Sequence, residues 1–204
     1  MLSEDRRWVN LPPRHGRTLF SDFRGMSASP QIREVTPLMQ SRLFAIESVE
    51  LRFANGEERT FERLVGQGEG AVMVVPFKTA DELLLIREYA VGVERYELGF
   101  VKGRIDKGEN AAQAARRELR EEIGCDAQSF THLATVALTP AYSNYRTHIF
   151  AATDLFESPL PGDEPEQLET LSWPVNDLST LREKGDFSDA RSVLATYLIA
   201  EHFG

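Results

Sequence analysis

Gly103-Arg-Ile-Asp-Lys-Gly-Glu109 leads into Arg117-Glu118-Leu119-Arg120-Glu121-Glu122-Ile123-Gly124-Cys125, and these two segments decide how the chain is read. The stretch joining them predicts a helix over Ala111 to Ile123, with Gly124 in the C-cap position. Asn110, followed three residues later by Gln113, matches a capping pair that fixes the helix start. On this helix Ala111, Ala115, Leu119 and Ile123 form a small apolar stripe suited to packing on a sheet. Glu118, Glu121 and Glu122 fall at i, i+3 and i+4 and therefore share another face. Three like charges there are destabilising unless something positive sits among them. Arg117 and Arg120 cannot neutralise all three. A hard divalent cation with oxygen ligands would, and Mg²⁺ takes one or two protein carboxylates while leaving room for substrate phosphates.

Outward from this segment the pattern is mostly strands. Leu43–Phe53 alternates apolar and polar residues, and Asn55-Gly56 signals a tight turn into a second strand, Glu58–Leu64. Ala71–Phe77 and Glu82–Tyr89 are apolar enough for buried strands. Further strands are expected at Leu133–Leu138, His148–Asp154 and Glu169–Trp173, with an acidic, proline-bearing loop at Ser158–Gln167. Two helices close the chain, near Val175–Lys184 and Ser188–Phe203, the second capped by Ser188. Mixed strands with few helices imply an α+β fold or an α/β/α sandwich.

Composition bounds the function. The chain has 204 residues, is 42% hydrophobic and 27% charged, and carries a formal net charge of −9 at pH 7. That sign argues against a general nucleic-acid binder, which needs a basic face for phosphates. No apolar run approaches the roughly 20 residues of a membrane span. A single cysteine, Cys125, suits a reducing compartment, so cytoplasm is the expected location. Residues 1–25 hold five arginines against three acidic residues, a local balance of +2 that leaves −11 on the other 179. With no periodicity there, residues 1–33 are expected to form a loosely held arm, with Met26 as an alternative start.

The quoted residues resemble the signature of the Nudix hydrolases. Gly103, Glu109, Arg117, Glu118, Leu119, Glu121, Glu122 and Gly124 match it without a gap, and Cys125 takes its last apolar place. From average residue usage, a chance match is on the order of 10⁻⁷. Leu43–Arg63, Leu85–Gly92, Tyr96–Phe100, Gly162–Glu166 and Asp189–Val193 extend the likeness to ADP-compound hydrolases of the NudE type. It covers nearly everything from about residue 35 onward.

The resemblance implies an α+β fold, a Nudix α/β/α sandwich of mixed sheets with the loop-helix-loop, over 34–204. It implies cleavage of ADP-X into AMP and X-phosphate, with ADP-ribose, NADH, diadenosine polyphosphates and ADP-sugars as the substrate class. Glu118 and Glu122 are the expected ligands of Mg²⁺, with Mn²⁺ as a substitute. Glu121 is a further ligand, the group that orients them, or the base. Glu109 braces the loop and Arg117 holds a carboxylate in its rotamer. Glu164 and Glu166, in the acidic loop, are the expected source of the general base. Arg63 and Arg87 suit bidentate contacts with phosphate, or are surface arginines. Lys102 stands just before the box glycine, where the family's backbone carbonyl often binds metal; that ligand survives here, and the side chain is long enough to reach a phosphate. A ring from Thr139–Tyr145 stacks on adenine or packs in the core. A homodimer is expected, with N-terminal strands at its interface. Two alternatives stand beside this reading: a pyrophosphohydrolase of another nucleoside diphosphate derivative, and a non-catalytic, nucleotide-binding Nudix regulator. The intact glutamate set favours the enzyme.

Overall fold

The computed structural model describes residues 28–66, 68–162 and 165–203. Among the described residues, ten strands and three α-helices are arranged as a small sheet beside a layered body. Strands β1 (Gln31–Gln40), β2 (Ala45–Arg52) and β3 (Glu58–Val65) form an antiparallel sheet in that order. The turn between β2 and β3 is the one that Asn55-Gly56 signalled: Gly56 has φ +88°, and its N–H donates to the Phe53 carbonyl at 2.9 Å. The start of β1 lies inside the stretch expected to be an arm, so the expected boundary after residue 33 cuts a strand. Residues 1–27 of that arm lie outside the described residues.

The larger sheet contains β4 (Ala71–Thr79), β5 (Glu82–Ala90), β6 (Arg95–Gly99), β7 (Val101–Arg104), β8 (Cys125–Ala137), β9 (Arg146–Glu157) and β10 (Glu169–Pro174). Its path runs β10-β5-β4-β9-β8, with β6 paired to β5 and β7 paired to β4. Of these pairings β4–β9 is parallel and the others are antiparallel. Helix α1 spans Ala111–Ile123, as the spacing predicts, and α2 (Leu178–Glu183) and α3 (Ala190–Phe203) follow β10. None of the described helices is long and apolar enough to cross a membrane.

The buried run in β4 explains the layers. Successive side chains of a strand point to opposite faces, so a strand covered on both sides must be apolar at every position. Val72 and Val74 join Ile86, Val101, Phe150 and the α1 residues Ala114, Ala115 and Leu119 in one core. Met73 and Val75 join Leu85, Phe100 and Ile149 with Leu181, Phe187, Ala195 and Ile199 in the other. The result is an α/β/α sandwich: helix α1 covers one face, and α2, α3 and the segment between them cover the other.

Three local expectations need correction. Strand β8 begins at Cys125 rather than near Leu133, because Gly124 ends α1 in the left-handed region and its successor enters the sheet at once. Ser188 does not cap the last helix. Asp189 does, accepting the Arg191 N–H at 2.7 Å, while Ser188 bonds to Glu97. The segment near Val175 opens as a 3₁₀ turn over Val175–Asp177 before α2.

Leu119 is fully buried where α1 meets the sheet. Leu119→Ala should therefore lower the unfolding free energy by about 2–5 kcal/mol in denaturant titration. A loss below about 1 kcal/mol would mean that the helix is not seated as described.

Candidate active site

The site is built where α1 crosses the open edge of β7. The helix start is fixed by a reciprocal capping box: Asn110 Oδ1 accepts the Gln113 N–H at 2.9 Å, and Gln113 Oε1 accepts the Asn110 N–H at 2.9 Å. With Leu119 on the core, Glu118 turns onto the backbone of β7. A Cβ added to Gly103 would lie 1.9 Å from Glu118 Oε1, so the box glycine is required by the carboxylate packed against it.

Arg117 ties the parts together. Its Nε and Nη2 donate to Glu109 at 2.9 Å each, and Nη2 also reaches the Arg104 carbonyl at 2.8 Å. Its Nη1 donates to both Glu118 and Glu121 at 2.8 Å. Glu109 in turn accepts the Asp106 N–H at 3.1 Å, so it braces the loop. The Arg117 hydrogen bonds hold the Glu109 carboxyl below the usual carboxylate range, and Glu109 foremost pushes the guanidinium pKa further up.

Glu122 is the exception. Its Oε2 is sealed from solvent and has no hydrogen-bond partner among the described residues. Desolvation pushes its pKa well above the ordinary carboxylate value; Lys102 opposes this, and the Glu118 and Glu88 charges add to it. The Lys102 backbone N–H bonds to the group, but a buried carboxylate oxygen left without a partner is costly, and a cation would satisfy it. The donors here are hard oxygens, so the set fits a divalent cation. Among the described residues, no three carboxylate, imidazole or thiol groups already converge as a finished cation site. The Arg117 guanidinium holds Glu118 and Glu121 in the bridging position instead.

The acidic loop comes to this place because its first residues dock on the end of α1. Ser158 N–H donates to the Gly124 carbonyl at 2.9 Å and Leu160 N–H to the Arg120 carbonyl at 3.1 Å, while Arg120 Nε returns a bond to the Ser158 carbonyl at 2.9 Å. A cavity of about 290 Å³ is thereby lined by Glu121, Glu122, Gly162 and Glu166. Glu166 also accepts the Tyr96 hydroxyl at 2.9 Å. Glu164 lies outside the described residues.

Arg63 and Arg87 do not join the lining of this cavity. Arg63 bonds Glu47 at 2.9 Å across the β2–β3 pair, and Arg87 lies between Glu169 and Asp186 at 3.1 Å each. Lys102 Nζ is paired with Glu88 rather than left to reach outward. Arg104 and Arg191 line a separate cavity, of about 390 Å³, with Tyr145. Sequence pattern gave neither a role. Arg104 adjoins the box glycine and Arg191 lies within Asp189–Val193, and those neighbours were the available signals.

The chain carries this geometry together with a family match. Residues 69–196 match the NUDIX domain, and residues 30–63 match the NudE-type Nudix hydrolase N-terminal domain. The chain belongs to the Nudix hydrolase family. It is an enzyme that acts on pyrophosphate bonds. Among its relatives, ADP compounds hydrolase NudE of Escherichia coli is 46% identical over 172 residues, covering 84% of this chain and 92% of that protein. ADP-ribose pyrophosphatase of Bacillus subtilis is 28% identical over 152 residues, covering 74% and 80%. A crystal structure of an ADP compounds hydrolase superposes with a TM-score of 0.81 at 45% identity, covering 87% of this chain and 95% of that one. The Nudix sandwich expected from the sequence is the one observed.

Glu122→Gln tests the buried carboxylate. A raised folded-state pKa means that the folded form binds more protons than the unfolded form between the ordinary and the raised value. Stability contributed by Glu122 therefore falls as pH rises through that window. The metal-free Gln variant should melt higher than the parent at neutral pH, and the gap should close by about pH 4. Turnover should fall more than about 100-fold. Near-normal turnover would remove Glu122 from the site.

Proposed function

We propose that this Nudix hydrolase cleaves the pyrophosphate bond of ADP-linked compounds, releasing AMP and a phosphorylated product. The observation that carries this reading is the Glu122 carboxylate, with one oxygen buried and unpartnered, beside Glu118 and Glu121 and lining one cavity with Glu166. The substrate class is taken from the relatives named above. Glu118 and Glu122, with Glu121 as a third or orienting group, would hold Mg²⁺, and Mn²⁺ offers the same hard-oxygen chemistry. When bound, such a cation supplies positive charge to the pyrophosphate oxygens and lowers the pKa of water.

The chain's own residues do the rest. Arg117 fixes the rotamers of Glu118 and Glu121, and Glu109 anchors Arg117 to the loop. Glu166 is the general base in this reading, taking the proton of the attacking water; Glu164 shares its loop, and Glu121 is the base if the loop does not supply one. The Tyr96 hydroxyl holds the Glu166 carboxylate in place. Arg63 and Arg87 act through Glu47, Glu169 and Asp186, or release them to bind phosphate. The chain works as a homodimer: β1 is exposed at all ten residues, and Ile32, Leu38, Met39 and Phe44 leave apolar surface on the small sheet.

AMP release from ADP-ribose, NADH, diadenosine triphosphate and an ADP-sugar, with and without Mg²⁺, tests the reaction. Release that depends on Mg²⁺ is expected from at least one. Cleavage confined to other nucleoside diphosphates would replace the substrate, and no cleavage at all would favour a nucleotide-binding regulator. Glu166→Gln should lower kcat by about 100-fold or more with little change in KM, the pattern of a group used only in the transition state. An unchanged kcat would move the base to Glu164 or Glu121. Light scattering should return twice the chain mass, and a Met39→Asp variant should shift it toward one.

A further inference from the structure

Two cavities border the strand that carries the box glycine. Gly103 faces Glu118 across β7, so by alternation Lys102 and Arg104 share the opposite face. Arg104 lines the cavity of about 390 Å³, whose walls are Phe44, Leu64 and Tyr145. Lys102 lines a second cavity, of about 560 Å³, together with Glu88, Ala90, Glu97 and Ser188. Both volumes are in the range of small-molecule sites. Their linings differ: the first has aromatic walls, while the second adds to its apolar walls Glu88 and Glu97, which are paired with Lys102 and Arg95. Two side chains, Leu138 and Arg191, line both.

Arg191 is held by the residue that caps its own helix. Its Nε lies 3.1 and 3.2 Å from the two Asp189 oxygens, and its Nη2 lies 2.5 Å from Oδ2. Asp189 is itself fixed as the cap of α3 through the Arg191 and Ser192 N–H groups. The guanidinium is thus set in one orientation by a bidentate carboxylate, and among the described residues its Nη1 has no hydrogen-bond partner. A fork pre-organised in this way loses little freedom when it grips an anion.

We propose that Arg191 is a substrate-binding residue that grips the linking phosphates of an ADP-linked compound at the junction of these two cavities. The adenosine lies in the aromatic cavity, where Phe44 and Tyr145 offer ring faces. The second moiety lies in the other, where the Glu88 and Glu97 carboxylates accept hydrogen bonds from hydroxyls. The compounds that fit are those in which ADP carries a sugar or ribosyl group. This rests on the reading of the substrate as an ADP-linked compound.

Steady-state kinetics of the full chain with ADP-ribose, and AMP as a competing ligand, test both parts. Arg191→Ala should raise KM for ADP-ribose by roughly 10- to 100-fold, the worth of a charge-assisted hydrogen bond. Arg191→Lys keeps a charge beside Asp189 but loses the fork. It should raise KM by about 10-fold, and it carries the test if the alanine variant melts below assay temperature. Ala90→Phe narrows the second cavity; it should raise KM for ADP-ribose while leaving the inhibition constant of AMP within about twofold. A KM within about twofold of the parent in both Arg191 variants overturns the phosphate contact. Ala90→Phe that affects AMP and ADP-ribose alike, or neither, overturns the assignment of the second cavity. Failure of the parent chain to hydrolyse any ADP-linked compound is a different result: it removes the substrate reading, and the Arg191 proposal falls with it.

Discussion

Every carboxylate of the signature except Glu122 is organised by the Arg117 guanidinium. That one planar group reaches Glu109 on the loop, the Arg104 carbonyl on β7, and Glu118 and Glu121 on its own helix. A lysine in its place would present a single point charge and could not meet acceptors in so many directions. With the guanidinium present, an acidic helix can lie against a strand edge. Without it, Glu109, Glu118 and Glu121 would repel one another inside a partly buried pocket.

Glu122 shows what that arrangement leaves uncompensated. Arg117 bonds to Glu118 and Glu121, one residue and four residues on, but not to Glu122, whose carboxylate is enclosed without an equivalent partner. Burial raises the pKa of such a carboxylate, and ionising it at neutral pH costs the fold unless a positive charge lies beside it.

The surroundings extend this local balance in two directions. On one side, the backbone contacts of Ser158 and Leu160 with the end of α1 carry the acidic loop to Glu121 and Glu122. On the other, the two faces of β7 separate functions: Gly103 lies against the carboxylate helix, while Lys102 and Arg104 border open cavities. The Asn144 and Tyr145 segment reaches the same place through Gly66 and Gly70. Asn144 Oδ1 accepts the Gly66 N–H at 2.9 Å, and the Tyr145 hydroxyl donates to the Gly70 carbonyl at 3.2 Å.

Local sequence determined what depends on local contacts. The extent of α1, its capping box, its C-cap glycine and the shared face of Glu118, Glu121 and Glu122 follow from spacing along one helix. The Asn55-Gly56 hairpin and the buried β4 follow from turn chemistry and unbroken apolarity. The family was legible for the same reason, since its signature lies within a single loop and helix. Strand β1 was hidden because its side chains are exposed along its length and give no burial pattern to read. The partners of Arg63, Arg87 and Lys102 were hidden because charge pairing depends on residues brought close by strand register, which no short window contains. Arg191 was hidden for the same reason, being more than 80 residues from Arg104, with which it lines a cavity. The sequence thus determined which carboxylates gather on α1, while the packing of α1, β7 and α3 decided which cations face the space beside them, because only that packing sets their separations.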